Sequence, residues 1–141
     1  MAVAVAAAGT PGIARRLACM MYEAILLFAV GFAATSLFFY ASGGLGASGS
    51  RRTMLQLFLV CVFAGYFLWC WLRGGQTLAM KTWKIRLVAP GHARVPPLTA
   101  LLRFALAIVA VPTGIALGWA LVDRDRQFLH DRIAGTRLVM A

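Results

Sequence analysis

Three long apolar stretches, separated by segments rich in glycine or in basic residues, constrain this chain more than any other feature. Leu17 to Tyr40 runs 24 residues with a single charged side chain, Glu23. At about 1.5 Å per residue a helix of that length reaches roughly 36 Å, enough to cross a hydrocarbon core of about 30 Å with some tilt. Met54 to Leu72 supplies nineteen residues without a charge, a second span. Leu98 to Val122 adds 25 residues with Arg103 near the start and Pro112-Thr113-Gly114 in the middle. With 62% hydrophobic and only 13% charged residues, the chain lies far from the composition of soluble domains, and 141 residues leave room for one domain. The expected fold is an all-α membrane protein, a helical bundle of three hydrophobic segments over residues 17–40, 54–72 and 98–122.

The connecting segments carry the topology. Residues 1–14 are small and apolar but lack a basic start, and Arg15 and Arg16 follow where a leader would have its cleavage site. They are expected to form a flexible cytoplasmic tail ahead of a membrane domain over 15–141. Ser42 to Arg52, rich in Gly and Ser, reads as a loop between antiparallel spans. From Arg73 to Arg103 six basic residues (Arg73, Lys81, Lys84, Arg86, Arg94, Arg103) appear with no acid, which places this loop on the cytoplasmic side. Within it Trp83, Ile85 and Leu87 alternate with Lys84 and Arg86, the period of a strand. Pro90-Gly91 then predicts a turn into a hairpin with Arg94-Val95. Thr136 to Val139 forms a second candidate strand, able to pair with that hairpin if both lie on one side.

Two readings compete for the third segment. A single Pro-kinked span sends the tail outside. A broken or re-entrant pair of half-helices turning at Pro112 and Gly114 returns it, gathering twelve basic residues on the cytoplasmic side against two, Arg51 and Arg52, on the other. Charge bias and the strand pairing favour the second reading; the scarcity of irregular backbone at membrane depth favours the first. Tyr40, Trp69, Trp71 and Trp119 near the span ends suit headgroup-level anchors. The formal charge of +10 suits anionic lipid headgroups. A nucleic-acid partner is not expected, because most aromatic residues fall inside or at the ends of apolar runs rather than among the basic ones.

Glu23 stands out chemically. A carboxylate inside hydrocarbon costs about 3 kcal/mol on insertion scales, so such a group is neutral, paired or functional. Arg16 lies two helical turns before it on the same face, and Arg103 reaches a similar depth if the basic loop and Arg16 share a side. The expectation is an Arg103 to Glu23 pair capped by Arg16, serving either to hold helix register or as an ion or proton relay. Asp123, Asp125, His130 and Asp131 among four arginines read as a solvated segment with local Arg to Asp pairs. One His-Asp dipeptide lacks the three or four spaced ligands of a metal site. Cys19, Cys61 and Cys70 form no CxxC and read as buried free thiols. No catalytic constellation is evident, so neither an enzyme nor a cofactor is expected.

Three stretches together resemble the RDD family of small membrane proteins, named for one arginine and two aspartates. RRLACMMYEAILLF resembles its first helix, with Arg16 and Glu23 at the matching positions. GQTLAMKTWKIRLV matches at Gly75, Gln76, Thr77 and Lys81, and LHDRIAGTRLV at His130, Asp131, Gly135 and Thr136. Glu23 stands where the family has its first aspartate, one methylene longer. The family is largely uncharacterised, with transport proposed for some members, and it is mainly bacterial. The resemblance therefore implies a multi-pass protein of a bacterial inner membrane with its N-terminus cytoplasmic. The function expected is a transport-related one using a site of Arg16, Glu23 and Arg103, or else an accessory or scaffold role in which the basic loop binds anionic lipid or a partner. Ala29, Gly31, Ala33 and Ala34 on the first helix would allow close packing in a homo-oligomer.

Overall fold

A computed structural model describes residues 9–44, 48–124 and 127–141. Helix α1 spans Ile13–Ala41 and α2 spans Ser50–Gly74, both long and apolar enough to cross a membrane. The two are antiparallel: Phe38 meets Phe58 with ring centroids 5.9 Å apart, Gly31 faces Phe63, and Glu23 reaches Thr77 just past the end of α2. A Cβ on Gly31 would sit 3.3 Å from the Phe63 ring, so this small residue already serves packing within the chain. Ala34 is also buried, while Ala29 and Ala33 face outward.

The end of α2 is set by Gly75, which takes the left-handed conformation (φ +66°) and donates its N–H to the Trp71 carbonyl. Its own carbonyl accepts from Leu87 N at 2.7 Å, and a Cβ there would stand 2.5 Å from the Leu87 oxygen. Only glycine combines that backbone angle with so close an approach. Thr77 then caps the short helix α3, Leu78–Thr82, accepting from Met80 N. Strand β1 follows at Ile85–Val88.

The expected strand at 85–88 is present, but its partner differs from the hairpin. Residues 94–95 form no strand; β1 pairs antiparallel with β2, Arg137–Met140, in the register Ile85 with Met140 and Leu87 with Leu138. Two Pro residues at 96–97 remove the backbone donors a second hairpin strand needs, whereas 137–140 offers alternating N–H groups. Ile85, Leu87 and Leu138 point inward with 1%, 2% and 4% exposure. Each such burial contributes about 1.5–3 kcal/mol.

The third hydrophobic segment is broken. Helices α4, Pro97–Ala110, and α5, Ile115–Val122, meet at an angle of 102° around Pro112 and Gly114. Thr113 Oγ1 donates back to the Val109 carbonyl at 2.8 Å, and Gly114 takes φ +74° to start α5. Helix α4 runs antiparallel to α2, with Arg103 over Trp71 and Phe104 against Phe67. After α5 the chain reaches α6, Leu129–Ala134, which packs on α4, and then β2 beside β1. The broken segment thus returns the chain to the end from which α4 started. Helix N-termini α1 and α4, the C-terminus of α2, α3, α6 and the sheet form a cap at that end.

The residues just ahead of α1 join the cap too. Residues 1–8 of the expected flexible tail lie outside the described residues. Residues 9–12 are docked: Gly9 O accepts from Met140 N at 3.0 Å and Pro11 is buried, with α1 beginning at Ile13. Of the aromatic anchors, Tyr40, Trp69 and Trp119 are exposed, but Trp71 is only 2% exposed and belongs to the core.

Candidate functional site

Beneath the cap lies a cavity of about 200 Å³, with Arg16, Glu23, Trp71, Arg103, Phe128 and His130 among its walls. Helix α1 contributes Arg16, Cys19, Glu23 and Leu27, residues spaced by three, four or seven so that they share one face. The cap end is closed by Arg16, Phe128, His130 and Leu138, all at most 4% exposed. Away from the cap the lining is apolar.

The structure brings Arg16, Glu23 and Arg103 to this cavity but gives the two carboxylates different partners from those expected. Arg103 Nε donates to Asp131 Oδ1 at 2.6 Å, not to Glu23, and both side chains are buried. The Arg103 guanidinium also lies 4.4 Å from the Trp71 ring centroid. This flat, polarisable face holds a weakly hydrated cation where water is excluded. Asp131 is carried there by α6. Gly135, at φ +71°, closes that helix, and Thr136 N bonds back to the Asp131 carbonyl at 2.9 Å. Asp131 and His130, expected in a solvated segment, are 0% and 4% exposed. What the sequence hides is that the turn from α5 folds this polar stretch under the sheet.

Glu23 takes a hydroxyl instead. Thr77 Oγ1 donates to Glu23 Oε2 at 2.5 Å while accepting from Met80 N at 3.3 Å, so one side chain caps α3 and holds the acid. The other oxygen, Oε1, is buried, and the Tyr66 hydroxyl lies beside the carboxylate as a second side-chain donor. Arg16, 1% exposed, sits with its guanidinium carbon 5.6 Å from the Phe128 ring centroid. His130 stacks on the same Phe128 ring, with centroids 5.5 Å apart and the planes nearly parallel. Burial, aided by the Arg103 charge, pushes the His130 imidazole down to about 4 against the pull of Asp131, so it is neutral at pH 7.

The remaining motif residues build the frame. Gln76 Nε2 donates to the Ile85 carbonyl at 2.8 Å, while Lys81 is exposed on the cap surface. Asp123 and Arg132 form the expected local pair at 2.6 Å, and Asp123 also accepts from Gln127 N. Gln127 in turn accepts from Leu138 N, fastening the returning chain to β2. Asp125 lies outside the described residues. Cys19 is buried, Cys70 half-buried and Cys61 exposed, all as free thiols. Sequence reasoning missed Trp71 as the Arg103 platform, Phe128 as a wall, and Thr77 as the Glu23 partner. Only Thr77 carried a signal, through its place in the second motif.

The profile of the RDD family matches residues 10–135. The chain belongs to the RDD family. It is an RDD membrane protein with two membrane-spanning helices and a broken third segment. An uncharacterized protein of Rickettsia prowazekii (strain Madrid E) is 32% identical over 80 residues, covering 57% of this chain and 45% of that protein. The RDD chain thus aligns with about half the length of that relative. No solved structure matches it. The three motifs that carry the family resemblance converge in the cap, where Arg16, Glu23, Thr77 and Asp131 surround or support one cavity.

Proposed function

We propose that this protein has a non-enzymatic, transport-related role in which Glu23 is the site of a proton or monovalent cation. The observation that carries the reading is the state of that carboxylate. It sits within a membrane-spanning helix and lines a cavity, with the Thr77 hydroxyl donating to it and the Tyr66 hydroxyl beside it. An ionisable group at membrane depth that lines a cavity, held by neutral hydroxyls, suits a site that takes up and releases a proton or cation. Arg103 and Asp131 neutralise each other and support the cap, so the arginine acts through position rather than as the counter-ion of Glu23. The cap gathers most of the basic residues, which supports a cytoplasmic N-terminus and cap. The Rickettsia relative and the family support a bacterial inner membrane.

Proteoliposomes with purified wild-type protein and Glu23→Gln test this directly. Flux of protons or monovalent ions across a pH gradient, lost in the variant at equal folded amount, is the expected result. Equal flux in both, or none in either, overturns the reading.

A second reading has its own observation. Arg73, Lys81, Lys84, Arg86 and Arg94 are all exposed on the cap, with Arg73 stacked 3.8 Å over Trp69. Such a rim suits anionic lipid headgroups and an accessory or scaffold role, assembled as a homo-oligomer or on a partner protein.

A further inference from the structure

Two residues in the cavity wall each carry a buried, unpaired nitrogen. Trp71 Nε1 and His130 Nδ1 have no hydrogen-bond partner among the described residues, and the two residues are only 2% and 4% exposed. They flank one ion pair: the Trp71 ring lies against the Arg103 guanidinium, and His130 Nε2 stands 3.9 Å from Asp131 Oδ1. The guanidinium takes the face of the indole, whereas the N–H lies in the ring plane, so the stack leaves that donor unused. An unmade buried hydrogen bond costs about 1–3 kcal/mol, and a ligand that makes it recovers that cost.

The two nitrogens ask for opposite partners. An indole N–H only donates. The His130 imidazole is neutral at pH 7, so one of its nitrogens carries the proton; the Asp131 charge beside Nε2 draws it there, which leaves Nδ1 an acceptor. A hydroxyl serves both, accepting from the indole and donating to the imidazole. Charge favours a neutral bearer, because Arg16 and Arg103 in the wall are matched in number by Glu23 in the wall and Asp131 behind it. The rest of the lining is apolar and includes the aromatic residues Phe67 and Phe128. As for size, a cavity of roughly 150 Å³ in an apolar core accommodates benzene; about 200 Å³ accommodates one ring with small substituents.

Entry is from the side. The lining residues on α3, α6 and the sheet are all buried, whereas Ala24 on α1 and Val111 at the end of α4 are exposed and lie on segments at membrane depth. A ligand taking this route partitions through the bilayer, which selects an uncharged, lipophilic molecule.

We propose that the cavity binds a lipophilic phenol from the bilayer, its ring in the apolar part and its hydroxyl held between Trp71 Nε1 and His130 Nδ1. The site stands on Trp71 and His130 rather than on Glu23, and so goes beyond the transport reading.

The test uses the full chain in nanodiscs, with empty nanodiscs as the partitioning control, and p-cresol, toluene and p-methylanisole as probes. Saturable p-cresol binding above the control is expected. Toluene, which lacks the hydroxyl, and p-methylanisole, whose oxygen accepts but cannot donate, should bind about tenfold or more weakly. Trp71→Phe and His130→Phe keep a ring at each position and remove its nitrogen; each should weaken p-cresol about tenfold and leave toluene unchanged. In the wild type the Trp71 indole N–H resonance, assigned by its loss in Trp71→Phe, should move downfield with p-cresol and hold its place with toluene. Equal binding of p-cresol and toluene, no saturable p-cresol binding to folded wild type, or preference for benzylamine or benzoate overturns the proposal. Binding lost in Glu23→Gln but kept in both nitrogen variants puts the ligand on the carboxylate and overturns it too. Binding through the two nitrogens upholds the site whether or not Glu23 carries a cation.

Discussion

Asp131→Asn is the most informative structural perturbation, because it leaves Arg103 charged and in place while deleting the charge that balances it. The two groups meet at 2.6 Å with side-chain exposures of 5% and 0%, so solvent screening offers little relief. Breaking a buried pair from one side costs about 3–5 kcal/mol, since the orphaned ion loses its partner but cannot regain water. The Trp71 face, 4.4 Å from the guanidinium, contributes equally in both proteins and so cancels from the difference. The asparagine oxygen still accepts one bond, so a net loss of about 2–4 kcal/mol is expected. Arg103→Met alone strands the carboxylate and should cost a similar amount, whereas the double variant should lose far less than the two single losses combined. Reversible unfolding in mixed detergent and dodecyl sulfate micelles, followed by tryptophan fluorescence, measures all three. A loss below about 1 kcal/mol for Asp131→Asn, or additivity within about 0.5 kcal/mol, would refute the reasoning.

Other consequences are open to measurement. His130 is held neutral in the folded state, down to about 4 from a reference of 6.5, so the unfolded chain binds the extra proton first. Stability is then full above about pH 6.5, falls as pH drops toward 4, and levels off below it, a change on the order of 3 kcal/mol. His130→Leu should flatten that part of the unfolding-against-pH curve; a curve identical to wild type would count against the assignment. Gly75→Ala forces a Cβ to within 2.5 Å of the Leu87 oxygen at a left-handed φ. It should lower the unfolding midpoint by an amount equivalent to at least about 1 kcal/mol, whereas Gly12→Ala, with open space around it, should not. Reporters fused to the two termini should read the same side of the membrane, because β2 pairs with β1 and with Gly9; opposite sides would rule out the returning third segment.

Much of the fold is a property of the chain read in order. The two spans are continuous apolar runs, and the local alternation at 85–88 announces a strand, since burial on one face has a period that neighbouring residues reveal. Pro112 and Gly114 mark the break for equally local reasons, a missing donor and a left-handed φ. Glu23 is conspicuous because hydrocarbon penalises a charge wherever it is placed. Tertiary structure decides partnership. Whether Arg103 meets Glu23 or Asp131 depends on how α4 is rotated and on where α6 is set down after the 102° bend, neither of which any local pattern encodes. The same holds for Trp71, which has the position of an interfacial anchor along its helix but faces inward, beneath the guanidinium that the fold brings to it. A sequence states what each side chain costs to leave alone; only the packed chain, with every element competing for the same few buried positions, determines which group relieves that cost.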